Sequence, residues 1–391
     1  MIDHESRLMA SLAAELAALD SDGLLRTRRT LQTPQDARVA VDGREYVAFC
    51  SNDYLGFGSH PELVRAACEG AHAFGVGAGA SHLVLGHAQP HHELETALAR
   101  FTGLPAALLF SSGYMANLGL LTVLAGRGDA IFADKLNHAS LTDAALLSRA
   151  DFKRYPHLDL AAAERMVRAS RAARKIIVSD AVFSMDGDVA PVQGLLELAE
   201  RYDAWLVLDD AHGSGVLGRN GRGVLEQSGV QSGRIAYMAT LGKAAGVYGA
   251  FVAGDRTLVE TLLQRARTYI YTTATPPLLA HALSKSLELM EREAWRRSYL
   301  QTLVAVLKAG LRECVWRLLP SDTPIQPLVI GGNGEAVAVS RALAARGLLV
   351  PAIRPPTVPR GTARLRISLS ANHQVEDVER LLEALMSLAR G

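Results

Sequence analysis

The stretch Trp205-Leu-Val-Leu-Asp-Asp-Ala-His212 bears most directly on the fold: an apolar run of strand length ends abruptly in acid, with a histidine just beyond. Five other runs share its character: Ala106–Phe110, Ala130–Ala133, Lys175–Ser179, Ile235–Thr240 and Ala250–Ala253. Several are separated by roughly 25–30 residues, the length of a strand–helix–strand unit. Apolar runs alternating with helical stretches predict an α/β fold, a largely parallel sheet with helices on both faces. In open sheets of this kind ligands bind beyond the carboxyl ends of the strands, which singles out the residues just after each run.

Outward from the sheet, the 391 residues exceed what one hydrophobic core usually supports. Residues 1–50 are expected to form an N-terminal helix and short strands. The helix covers about 5–19, from Leu8, Leu12, Leu16 and Leu19 at helical spacing, and a strand pattern lies near Tyr46–Phe49. Residues 51–276 read as the large domain and 277–391 as a smaller C-terminal α+β domain. The latter carries a long helical region over about 277–316, short strands near Gln326–Ile330 and Ala363–Ser370, and a closing helix over about 374–390. The smaller domain is expected to be joined by the N-terminal helix.

A hydrophobic content of 49% with 21% charged residues suits a well-buried enzyme. A net charge of +1 with scattered Lys and Arg argues against nucleic acid or a membrane surface as partner. Cys50, Cys68 and Cys314 show neither a disulfide framework nor metal-ligand spacing, and no stretch has signal-peptide or membrane-spanning character. A cytoplasmic location is expected.

Three segments place reactive residues where a predicted strand ends. In the opening stretch, Asp209 is a carboxylate at a buried strand end, costly unless it meets a cation. A protonated pyridine nitrogen is such a cation; a salt bridge or a helix cap is the plainer alternative. In Ala239-Thr-Leu-Gly-Lys243 the lysine sits among small neighbours that leave room for a flat ligand and solvate it poorly, which favours the neutral amine. A lone lysine in a loop is otherwise mostly a surface residue. Leu108-Leu-Phe-Ser-Ser-Gly-Tyr-Met-Ala-Asn117 reads as strand, tight turn and helix start, where backbone N–H groups seat a phosphate and Ser111 and Ser112 either donate or cap. Together they supply what pyridoxal 5′-phosphate (PLP) requires: a phosphate seat, an acid for the ring nitrogen and a lysine for the aldehyde.

With these residues placed, the chain resembles the α-oxoamine synthases along nearly its whole length. The landmarks are Ser51-Asn-Asp-Tyr-Leu-Gly56, Phe110-Ser-Ser-Gly-Tyr114, Asn137-His-Ala-Ser140 and Phe183-Ser-Met-Asp-Gly187. They continue with Asp209-Asp-Ala-His-Gly213, Thr240-Leu-Gly-Lys243, Tyr271-Thr-Thr-Ala-Thr-Pro-Pro277 and Ala352-Ile-Arg-Pro-Pro-Thr-Val-Pro359. The last points to the branch that serves biotin biosynthesis. The resemblance implies the PLP-dependent transferase fold of the aspartate aminotransferase type, with a mostly parallel seven-stranded sheet. It also implies an acyltransferase that condenses L-alanine with a pimeloyl thioester, carried by coenzyme A or an acyl carrier protein, with loss of carbon dioxide.

The same resemblance implies roles. Lys243 forms the Schiff base with PLP, Asp209 pairs with the ring nitrogen, and His212 and Ser184 approach the phenolic oxygen. His138 stacks on the ring and supports proton handling, although a helix-capping histidine is its plain reading. Gly113, Tyr114 and Thr240 lie near the phosphate, and Thr272 or Thr273 reaches the phosphate of the neighbouring subunit in a homodimer with shared active sites. Arg354 grips the amino acid's carboxylate, and Arg26, Asn52 and Thr357 contact substrate. Arg26 also belongs to a basic run with Arg28 and Arg29 that reads equally as solvated surface.

His82 stands where many relatives carry arginine, and Ala244-Ala245-Gly246 replaces a more glycine-rich stretch. His82, His87, His91 and His92 look like a metal cluster, but Pro90 interrupts any helix before His91, and structural or substrate-loop histidines are the expected reading, with no metal. Gly75-Val-Gly-Ala-Gly79 is expected to be a flexible wall of the site rather than a phosphate loop. The open rivals are a sister synthase using glycine with an acetyl or succinyl thioester, and a non-catalytic subunit on the same fold. A dinucleotide-binding dehydrogenase is disfavoured, since no G-x-G-x-x-G with a distant acid follows the first strand.

Overall fold

The computed structural model describes residues 2–22 and 24–390. Its centre is a seven-stranded sheet built from β1 (Ala106–Phe110), β2 (Ala130–Asp134), β3 (Asp151–Tyr155), β4 (Lys175–Asp180), β5 (Ala204–Asp209), β6 (Ile235–Thr240) and β7 (Ala250–Gly254). The spatial order is β1-β7-β6-β5-β4-β2-β3. β3, β2, β4, β5 and β6 run parallel, and β7 pairs antiparallel with both β6 and β1.

The central strands are apolar on both faces because helices cover both. Alternate residues enter different cores: Leu206 and Leu208 of β5 join one cluster and Val207 the other, as Phe132 and Ile131 of β2 do. The second cluster packs against helices Gly113–Leu124, Ala139–Ser148 and Arg256–Arg265. The first takes in helices of the C-terminal part, including Leu300 and Leu303 of Trp295–Gly310 and Val378 and Leu381 of Val375–Ala389. All six expected strands are present. β3 (Asp-Phe-Lys-Arg-Tyr) was not among them; it lies at the sheet edge, mostly exposed, where charged residues deter further pairing.

The expected helical region over 277–316 is two helices, Pro277–Arg292 and Trp295–Gly310, separated at Glu293-Ala294. Ile325–Gly331 and Ala363–Ser368 pair antiparallel in a four-stranded sheet. Residues 1–50 are tied to the C-terminal part by a strand: Arg44–Ala48 pairs parallel with Leu348–Leu349. The N-terminal helix spans Ile2–Ser21, with Leu8 61% and Leu16 56% exposed, so its apolar stripe is uncovered by the chain itself.

Candidate active site

The carboxyl ends of β1, β2, β4, β5 and β6 lie along one edge of the sheet, and a cavity of about 210 Å3 opens there. Gly113 and Tyr114 enter it from the turn after β1, His138 from that after β2, and Ser184 from the loop beyond β4. Asp209 and His212 come from β5 and its turn, and Thr240 and Lys243 from β6 and its turn. Two larger clefts, of about 730 and 710 Å3, contain neither Asp209 nor Lys243, so size is no guide to the chemistry.

Local chemistry sets each turn. Ser112 is the N-cap of helix Gly113–Leu124, its Oγ accepting from Met115 N–H at 3.3 Å. His138 both caps helix Ala139–Ser148, with Nδ1 accepting from Ser140 N–H at 3.3 Å, and faces the cavity. The capping and the site readings of this histidine are therefore compatible. A Cβ built on Gly113 would meet nothing closer than Met238 at 3.7 Å. Packing does not demand glycine there; its absent side chain leaves room for a ligand at a helix N-terminus.

Asp209 is held as an acceptor. Asn117 Nδ2 donates to its Oδ2 at 2.8 Å, and Ala211 N–H donates to its Oδ1 at 3.0 Å. Asn117, fully buried on a helix otherwise rich in apolar residues, also donates to Ser140 Oγ at 2.9 Å. Asp180 closes the same wall, with Oδ1 accepting from His138 N–H at 3.1 Å. Burial, and then the neighbouring Asp209, hold its carboxyl well above the usual carboxylate range. Asp210, by contrast, turns away: its Oδ2 accepts from Tyr237 Oη at 2.8 Å and Val224 N–H at 2.7 Å, fixing the loop after the site.

Lys243 Nζ lies 2.9 Å from His212 Nε2. Burial pulls the lysine down to about 8, against the opposing pull of Asp209 and Asp180. Burial, then Lys243 and Arg366, keep His212 well below the ordinary imidazole value. The pair thus tends toward a neutral amine beside a neutral imidazole, the state in which lysine is nucleophilic. An acceptor for a ring N–H, a neutral amine and an open glycine turn fit PLP.

The remaining expected residues lie elsewhere. Arg26 and Arg354 share the 710 Å3 cleft with Arg29, Arg341 and Cys50. Asn52 Oδ1 accepts from Arg366 Nη2 at 3.3 Å and lies 3.2 Å from Tyr54 Oη. Thr357 is exposed in the turn after Arg354, whose carbonyl accepts from Thr357 N–H at 3.1 Å. Thr272 is half-buried and Thr273 exposed, and neither lines the cavity of its own chain. Asn117, Asp180, Tyr54 and the buried Arg366 were not assigned roles from sequence. Asn117 had a signal, a lone amide on an apolar helix; Arg366 had none, because the partners that tie it to the site, Ser184 and Asn52, are far away in the chain.

The histidine cluster is assembled, with ligand atoms of His82, His87 and His91 within 4.8 Å of one another. His82 Nδ1 and His87 Nδ1 are 3.0 Å apart. His91 Nδ1 accepts from Ala88 N–H at 3.0 Å, and its Nε2 bonds the Thr275 carbonyl at 2.8 Å. Pro90 lies in the first turn of helix Gln89–Thr102, so His91 is helical and His87 is not.

Residues 44–385 match the family model for aminotransferases of class I and II. The 8-amino-7-oxononanoate synthase of Nitrosospira multiformis is 65% identical over 367 residues, covering 94% of this chain and 93% of that protein. Among solved structures, a serine palmitoyltransferase variant from S. paucimobilis with a bound PLP–myriocin aldimine superposes with a TM-score of 0.91 at 28% identity, covering 97% of each chain. The 8-amino-7-oxononanoate synthase of Francisella tularensis superposes at 0.77 with 30% identity, covering 88% of this chain and 98% of that one. The chain belongs to the class I and II aminotransferase family and, within it, to the group of the 8-amino-7-oxononanoate synthases.

Proposed function

We propose that this chain condenses L-alanine with a pimeloyl thioester to form 8-amino-7-oxononanoate for biotin synthesis, releasing carbon dioxide and the free carrier. The observation that carries the reading is the convergence of Lys243, His212 and Asp209 on one cavity. The 65% identity to a relative named for that product supports it. PLP, when bound, supplies the electron sink that stabilises a carbanion at the amino acid's α-carbon.

The chain's own residues do the rest. Lys243 would hold the cofactor through its aldehyde, and its Nζ is the base placed to take the amino acid's α-proton. Its pKa of about 8, below the ordinary lysine value, raises the share of free amine near neutral pH. Asp209 keeps the ring nitrogen protonated, and Asn117 keeps Asp209 in place. His212 and Ser184 would serve the phenolic oxygen, His138 would stack on the ring and support proton handling, and Gly113, Tyr114 and Thr240 would hold the phosphate. Arg26, Asn52 and Thr357 contact substrate, and Arg354 holds the alanine carboxylate with its fork of donors. A second reading gives that task to Arg366, because it is this arginine whose charge acts on both Lys243 and His212.

Thr272 or Thr273, both outside their own cavity, would reach the partner's phosphate in a homodimer, and the uncovered N-terminal stripe supports a second copy. No described helix is long and apolar enough to cross a membrane, in keeping with the cytoplasmic location we assign.

The test is a matrix of amino acids (alanine, glycine, serine) against thioesters (pimeloyl, acetyl, succinyl), each on coenzyme A and on acyl carrier protein, with mass detection of products. Alanine with the pimeloyl donor should give the dominant product, and the matrix names the carrier. Equal or faster reaction of glycine with acetyl or succinyl donors would overturn the assignment in favour of a sister synthase.

A further inference from the structure

One buried contact at the site has no part in the scheme above. Tyr54 is fully buried, with Oη 2.6 Å from His212 Nδ1 and 3.2 Å from Asn52 Oδ1. A phenol has a single hydrogen to give. Arg366, which can only donate, reaches the same group: its Nη2 donates to Asn52 Oδ1 at 3.3 Å. Asn52 Oδ1 thus has a donor besides the phenol, which leaves the phenolic proton for the shorter contact, at His212 Nδ1.

His212, held uncharged by burial and by Lys243, Arg366 and His138, carries one ring proton. With Nδ1 accepting, that proton is on Nε2, 2.9 Å from Lys243 Nζ. An ammonium has no lone pair with which to accept it, so the contact forms only with the neutral amine. The opposite arrangement, with Nδ1–H donating to Tyr54, would leave Nε2 to accept from an ammonium. The other charges acting on Lys243 are Asp209, Asp180 and Asp210, which favour the ammonium, and Arg366, which opposes it.

We propose that Tyr54 is a positioning residue whose hydroxyl donates to His212 Nδ1, fixes the Nε2–H tautomer and so presents Lys243 with a donor that holds it as the uncharged amine. This rests on Lys243 being the residue that reacts with PLP. The tests read the tautomer and the lysine rather than turnover, so the matrix above and these measurements fail independently.

In the full-length chain free of PLP and labelled with 15N-histidine, long-range N–H couplings report the tautomer of His212, assigned through the signal missing from His212→Gln. The Nε2–H form is expected; an Nδ1–H form in the wild-type protein overturns the proposal without any variant. In Tyr54→Phe the single tautomer should be lost. The pH midpoint for acylation of Lys243 by acetic anhydride, read by peptide mass, should rise by about one unit toward the ordinary lysine value. An unchanged midpoint in a folded variant, with the tautomer intact, overturns the proposal and leaves Tyr54 a packing residue.

Discussion

The Lys243 cavity and the His82–His91 cluster are both dense gatherings of titratable side chains, and they differ in where their polar atoms are spent. At the cluster, His82 and His87 bond each other, and His91 uses both ring nitrogens on Ala88 N–H and the Thr275 carbonyl. His82 also stacks on Tyr269 at 4.9 Å. Burial, and then the neighbouring histidines, push His82 down to about 3. At the cavity, neutral groups fix the site residues from behind: Asn117 and Ala211 N–H hold Asp209, and Tyr54 backs His212. The faces of Asp209, His212 and Lys243 that remain look into shared space. Residue type is the same currency in both places; what separates a reactive site from a structural knot is hydrogen-bonding capacity left over and aimed at a cavity.

The largest effect that sharpens this contrast belongs to Lys243→Ala. Turnover should fall roughly 10^3-fold or more, and borohydride should no longer fix PLP to the chain, as read by mass. A variant that keeps both would break the comparison at its reactive end. Next, Asp209→Asn should retain PLP but lose turnover by roughly 10^2-fold, measured with alanine and the pimeloyl donor at saturation. Equal turnover would show that the acceptor geometry around Asp209 serves packing alone.

At the other end, His91→Ala leaves Ala88 N–H and the Thr275 carbonyl without their partner and should destabilise the protein by about 2–3 kcal/mol. His87→Ala, at a partly exposed position, should cost less than about 1 kcal/mol by urea denaturation. Zinc should shift neither midpoint; a zinc-dependent stabilisation of the wild type that His87→Ala removes would make the cluster a metal site. The last effect is a pH dependence. His82 resists protonation when folded and accepts a proton near 6.5 when unfolded. The unfolded state therefore binds more protons below 6.5, and the wild type loses stability as pH falls from there toward 3. Relative to it, His82→Phe, which preserves a ring against Tyr269, should gain about 1–2 kcal/mol between pH 6.5 and 5 in paired denaturation curves. A constant difference across that range would mean that His82 takes up its proton in the native protein as readily as in the unfolded chain.

Read by itself, the sequence determined the parallel sheet and the turns that bear Gly113, Asp209 and Lys243. Strand alternation and turn chemistry act over a few residues and are written locally. The edge strand Asp151–Tyr155 escaped because one-sided burial with charged residues has no apolar run to show. The N-terminal helix was legible from its leucine spacing, yet the spacing did not reveal that the chain leaves its stripe uncovered.

Only the tertiary structure decided which groups stand behind the reactive ones. Tyr54 meets His212 across 158 residues of chain, Asn117 meets Asp209 across 92, and Arg366 meets Asn52 across 314. Likewise His91 is settled by a carbonyl 184 residues away. A hydrogen bond depends on distance and direction between atoms, and those are set by packing the sheet against its helices. Lys243 was therefore singled out by its neighbours in sequence, while the burial that lowers its pKa and its contact with His212 come from neighbours that only the fold supplies.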